Sequence, residues 1–122
     1  MYMAKRIHIV EDDEDIRYIV SYILVDMGYE VILADSISDF RQQQPLAEDT
    51  GLFLLDVMLP DGNGLDLCLE LKKSPATQHV PVIIMSANAT ETEVIRRACA
   101  DEFIAKPFDL DEITDMIKKH IL

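Results

Sequence analysis

Five short apolar runs, each followed by a helix-like pattern, constrain this chain more than any other feature. Ile7 to Val10, Val31 to Ala34, Leu52 to Leu55, Val80 to Met85 and Phe103 to Ala105 read as strands rich in β-branched residues. Their apolar residues run on without alternation. That suits strands covered on both faces, as in a parallel sheet sandwiched between helices.

The intervening segments carry the helical period. Ile16, Ile19, Val20, Ile23, Leu24 and Met27 recur at spacings of three and four, which places them on one helix face. Acidic residues crowd the start of that helix, where its dipole is positive, and Gly28 follows as a C-terminal cap. Leu110, Ile113, Ile117 and Ile121 form a stripe on the last helix, and Leu65, Cys68 and Leu71 support one after the third strand. Weaker patterns mark helices near residues 37–44 and 90–98. The order is βαβαβαβαβα, a doubly wound α/β domain. With 122 residues the chain is expected to be one domain, with no room for an output domain after the last helix.

Charge narrows the partners. Against 11 Lys and Arg stand 23 Asp and Glu, a net charge of −12. Direct nucleic-acid binding and attachment to anionic membranes both require the opposite sign. Cys68 and Cys99 have no CxxC or His-rich neighbourhood and read as buried thiols of a reducing compartment. Residues 1 to 10 lack secretory-signal order, and no apolar run reaches a membrane span, so the cytoplasm is the expected location.

In an open parallel sheet, ligands bind beyond the carboxyl ends of the strands. The first strand runs into Glu11 and Asp12, the third into Asp56, the fourth into Ser86 and the fifth into Lys106. Each residue alone has a plainer role: a helix-start acid, a turn aspartate, a capping hydroxyl or a surface lysine. Topology, however, gathers all of them on one edge. Three carboxylates within about 5–6 Å repel by roughly 3 kcal/mol per pair at an effective dielectric of 20. A hard divalent cation makes such a cluster tolerable, and Mg²⁺ suits few carboxylates, several waters and an incoming phosphoryl group. Asp56 then serves as an oxygen nucleophile forming an acyl phosphate, with Lys106 and the cation stabilising charge. Ser86 donates a hydrogen bond to a phosphoryl oxygen.

These strings resemble the receiver domain of two-component response regulators, of the single-domain chemotaxis-regulator type. The resemblance rests on IHIVED ending at Asp12, LFLLDVMLPDGNG around Asp56, VIIMSA around Ser86 and DEFIAKPF around Lys106, in that order. It covers nearly the whole chain and implies a flavodoxin-like (βα)5 sheet with strand order 2-1-3-4-5. It implies that Asp56 is the phosphorylation site. Glu11, Asp12, Asp56 and the Met58 backbone carbonyl hold Mg²⁺, with Mn²⁺ as an alternative ion. Lys106 pairs with the phosphoryl group, the Lys106–Pro107 peptide is cis, and Ser86 and Phe103 form a hydroxyl–aromatic switch pair.

The implied donor is a histidine kinase or histidine phosphotransfer protein, and the downstream protein target is not named by the sequence. The implied chemistry is self-catalysed phosphorylation and dephosphorylation only, with Met58 and Asn88 flanking the pocket. Two departures fall toward the implied output face. The segment between Ser86 and Lys106 is about two residues short of the usual pattern, and Cys99 stands where glycine is common.

Rival readings fare worse. A calcium loop starting at Asp61 would need an oxygen ligand at 65, glycine at 66 and glutamate at 72, but the chain has Leu65, Asp66 and Lys72. An aspartyl phosphohydrolase would carry a second aspartate as general acid where Met58 stands. Gly62 and Gly64 form no phosphate-binding loop motif and read as turn residues. The three histidines lack ligand-spaced partners. A stand-alone regulator is expected from Met1 and the missing trailing linker; the alternative is the receiver portion of a larger hybrid kinase or transcription factor.

Overall fold

The computed structural model describes residues 5–43, 50–87 and 100–121. The helix expected near residues 90–98, Asn88, Cys99 and the shortened segment lie largely or wholly outside them. The described elements are β1 (Arg6–Val10), α1 (Glu14–Asp26), β2 (Glu30–Ala34), α2 (Ile37–Arg41), β3 (Thr50–Asp56), β4 (Met58–Leu59), β5 (Gly62–Asn63), α3 (Gly64–Lys73), β6 (Val82–Ser86), β7 (Glu102–Ala105) and α4 (Leu110–His120). The five longer strands form a parallel sheet in the order β2-β1-β3-β6-β7. Counting those five alone, this is the expected 2-1-3-4-5.

The continuous apolar runs now have a reason. Successive residues of a strand point to opposite faces, so each run feeds two cores at once. Val10, Phe53, Leu55, Val82 and Ile84 face Phe40 of α2 and Leu67, Cys68 and Leu71 of α3. Ile7, Ile9, Leu52, Leu54, Ile83 and Met85 face Val20 and Leu24 of α1 and Ile113 and Ile117 of α4. Each such Leu or Ile side chain, fully buried, contributes about 1.5–3 kcal/mol. Both faces are essential.

Local signals set the ends of α1. Asp13 is its N-cap, its carboxylate accepting from the Asp15 and Ile16 amides at 2.9 and 3.1 Å. At the other end Gly28 takes φ 96°, with Gly28 N–H donating to Val25 O and Tyr29 N–H to Leu24 O. That pair of bonds is a Schellman motif, and its left-handed residue favours glycine. The predicted apolar stripe is wider than the contact it makes. Val20 and Leu24 are buried, whereas Ile19 remains 45% exposed at the edge of the interface.

Several element limits differ from the sequence reading, and one pair of elements was not expected. The fourth long strand begins at Val82, because Val80 closes the preceding turn with its amide on Thr77 O. Helix α2 ends at Arg41, within the predicted 37–44 segment. The hairpin β4–β5, with Met58 opposite Asn63 and Leu59 opposite Gly62, was not predicted. Two-residue strands are too short to show a period.

Candidate functional site: an acidic pocket at the carboxyl edge of the sheet

The acidic run at the start of α1 divides by function. Asp13, Glu14 and Asp15 serve the helix as cap and first turn, while Glu11 and Asp12 precede the cap and belong to the sheet edge. The Glu11 amide donates to Ala34 O at 3.0 Å, and Arg17 Nη1 reaches back to Glu11 O at 2.8 Å. Glu11 is thus fixed by backbone contacts on both sides, with its side chain fully buried.

Asp56 ends β3 and is 6% exposed, while Asp12 is exposed at the mouth. Oxygens of Glu11, Asp12 and Asp56 all lie within 4.8 Å of one another. Lys106, which follows β7, spans the pair: its Nζ donates to Glu11 Oε1 at 2.6 Å and to Asp56 Oδ2 at 3.1 Å. Residues 50 and 95 positions away in sequence therefore share one ammonium group. The Lys106–Pro107 peptide is cis, and the Lys106 amide donates to Ser86 O at 2.9 Å.

Burial dominates the electrostatics. Loss of water around Glu11, together with the neighbouring Asp56, pushes its pKa up to about 8 despite the opposing Lys106. Burial also disfavours the charged amine of Lys106, yet Glu11 and Asp56 outweigh it and hold its pKa above the ordinary lysine value. Glu11 Oε2 is buried with no hydrogen-bond partner. Buried polar atoms are normally paired, so this oxygen has spare capacity for a ligand. Three carboxylates supply only hard oxygen donors, which fits Mg²⁺ or Mn²⁺ rather than a soft metal. The residues fit the cation.

Ser86 is the last residue of β6 and 2% exposed, one position past Met85, the register partner of Asp56. Phe103 pairs with Ile84, and Ser86 with Ala105, so Ser86 and Phe103 occupy the same sheet face two residues apart. Phe103 is half-buried and packs against the cluster shared by α2 and α3. Met58 is exposed on β4, two residues past Asp56.

The family model for the response regulator receiver domain matches residues 7–118. The chain belongs to the response regulator receiver domain family. This receiver is 34% identical over 120 residues to the phosphate regulon transcriptional regulatory protein PhoB of Rhizobium meliloti (strain 1021), covering 95% of the chain and 52% of that relative. It thus spans about half the length of the curated relatives it matches. A receiver domain protein from Methanospirillum hungatei JF-1 superimposes with a TM-score of 0.85 at 28% identity, covering 96% of this chain and 93% of that one. The receiver domain described as BeF3-activated DrrB gives 0.85 at 26% identity, with 98% of each chain covered. Among the described residues, no helix is long and apolar enough to cross a membrane.

Two positions escaped the sequence reading. Gly64 was read as a turn glycine, but its role is close approach: a Cβ there would overlap the Asp56 carbonyl oxygen. Its amide donates to Val57 O at 2.8 Å. Asp61 accepts from the Ile37 and Ser38 amides, each at 2.8 Å, and so caps α2 from across the chain. Neither contact leaves a signal in the sequence, because the groups met are backbone atoms, for Asp61 those of residues more than 20 positions away.

Proposed function

We propose that Asp56 accepts a phosphoryl group from a phosphohistidine, carried by a histidine kinase or a histidine phosphotransfer protein. The observation that supports this best is the single ammonium of Lys106 bridging the buried carboxylates of Glu11 and Asp56. An Asp56 carboxylate oxygen attacks phosphorus, the new P–O bond forms and the P–N bond breaks. The electron pair returns to the imidazole nitrogen of the donor. Glu11, Asp12, Asp56 and the Met58 carbonyl would hold Mg²⁺, or Mn²⁺ in its place, and the bound cation would supply neutralisation of charge on the transferring group. Lys106 releases its hold on Asp56 Oδ2 and pairs with a phosphoryl oxygen. Ser86 donates its hydroxyl to another, and Phe103, on the same sheet face, follows it inward. Phosphorylation in this way shifts an existing two-state equilibrium.

The group stays on Asp56 until water attacks the acyl phosphate, so the protein acts as a phosphoryl acceptor and switch rather than a turnover enzyme. Intact-mass measurement after incubation with a small-molecule phosphodonor and Mg²⁺ tests this. The expected gain is about 80 Da for one phosphoryl group, absent in Asp56→Asn. A gain that persists in Asp56→Asn rejects the assignment.

A second reading concerns context. The length relation to PhoB, a transcriptional regulator, supports a role as the receiver portion of a regulator with its own output segment. The length of the native reading frame decides between that and a stand-alone switch.

A further inference from the structure

The hairpin that leaves the phosphoryl-acceptor strand is held at both ends. At its base, Gly64 presses against the Asp56 carbonyl and donates its amide to Val57 O. At its tip, Asp61 reaches back 24 residues: Oδ1 accepts from the Ile37 amide and Oδ2 from the Ser38 amide, each at 2.8 Å. Ser36, the N-cap of α2, accepts only from the Asp39 amide among the bonds of that turn, so Asp61 satisfies two amides the helix leaves open. The next residue repeats the contact in a different way. A Cβ on Gly62 would come within 2.7 Å of Ile37 Cδ1, so the backbone of the tip lies directly against α2.

Between these two anchors lies Met58. The ladder of β4 and β5 has only two register pairs, and a hairpin that short has no independent stability in water. Its position is therefore set from outside. Asp61 itself is not one of the three carboxylates of the pocket.

We propose that Asp61 is a positioning residue for the cation site: by pinning the hairpin tip to α2, it fixes the Met58 segment beside Asp56 and links docking of α2 to cation occupancy. This rests on the reading of Glu11, Asp12, Asp56 and the Met58 carbonyl as that site. Once the tip is released, the Met58 carbonyl must be reordered before it can ligate, and affinity falls by the cost of that ordering. Linkage is reciprocal, so a cation that favours the docked hairpin also favours the two bonds from Ile37 and Ser38.

The test compares this chain with Asp61→Ala, Asp61→Asn and Ile117→Val, the last a core truncation on the opposite face of the sheet. Mg²⁺ alone is titrated by calorimetry, and amide hydrogen exchange is read by NMR with and without Mg²⁺. Asp61→Ala is expected to weaken Mg²⁺ binding about tenfold, the scale of lost outer-shell support. Asp61→Asn, which keeps one acceptor oxygen, loses less, and Ile117→Val binds as the unaltered chain does. In the unaltered chain Mg²⁺ slows exchange at the Ile37 and Ser38 amides, and in Asp61→Ala it does not. Equal Mg²⁺ affinity in Asp61→Ala and the unaltered chain overturns the inference alone, as does an equal loss in Ile117→Val. Failure of the unaltered chain to bind Mg²⁺ overturns the cation-site reading and the inference with it.

Discussion

Glu11 follows β1, and Asp61 sits at the turn of the hairpin that follows β3, yet the two carboxylates meet opposite surroundings. Glu11 shares one lysine with Asp56 and has an oxygen with no hydrogen-bond partner; its burial and the neighbouring Asp56 push its pKa up to about 8 against the pull of that lysine. Asp61 is exposed and takes two backbone amides, which hold its pKa below the ordinary aspartate value. One arrangement leaves electrostatic demand unmet and the other satisfies it. Carboxylates that only support structure are expected to look like Asp61. The pocket departs from that pattern, as the proposed acceptor role requires: a cation and a phosphoryl group would complete the groups left unpaired there.

The largest expected effect tests whether Lys106 holds the buried side together. Lys106→Met leaves Glu11 and Asp56 facing each other without a cation, and removing one partner of such a pair costs roughly 3 kcal/mol. Urea denaturation in the presence of a chelator reads the loss. A variant as stable as the unaltered chain breaks the contrast with Asp61.

The next effect concerns pH. In the metal-free protein, the stability attributable to Glu11 is fully present below its ordinary value of 4.5 and is lost as pH rises through about 8, because the folded state holds the proton longer. Asp61 runs the other way: its contribution is present above the ordinary value of 3.8 and is lost as pH falls through its depressed pKa. Glu11→Gln is therefore expected to stabilise the metal-free protein at alkaline pH by about 1–3 kcal/mol, and to flatten the slope above 4.5. Thermal melts across pH measure both. Mg²⁺ is expected to flatten the slope as well, by competing with the proton.

The smallest effect bounds the exposed side. Arg41 grips Glu70 through two bonds of 2.7 and 3.0 Å, with both side chains more than half exposed. Arg41→Gln is expected to change stability by less than about 1 kcal/mol and to leave phosphorylation of Asp56 intact. A larger loss would show that α2 depends on this ion pair as well as on Asp61.

Much of this was legible beforehand. Glu11, Asp12, Asp56, Ser86 and Lys106 could be found because each ends or follows an apolar run, and the strand pattern says which edge those ends share. Gly28 could be found because a helix stripe stops just before it. Asp61 and Gly64 could not. Their partners, the amides of Ile37 and Ser38 and the carbonyl of Asp56, are backbone groups that carry no residue identity. The same limit hid β4 and β5, whose pairing comes from the packing of α2 and α3 around them.

The amino-acid order by itself determined the alternation of strands and helices, the two-sided burial of the sheet and the set of chemical groups at its edge, because periodicity and side-chain type are local properties. Only the tertiary structure decided that one lysine would serve two carboxylates, that Glu11 would lose all contact with water, and that a hairpin beside Asp56 would hang from a distant helix. Those outcomes depend on distances between segments far apart in the chain, and burial and hydrogen bonding exist only once those segments meet.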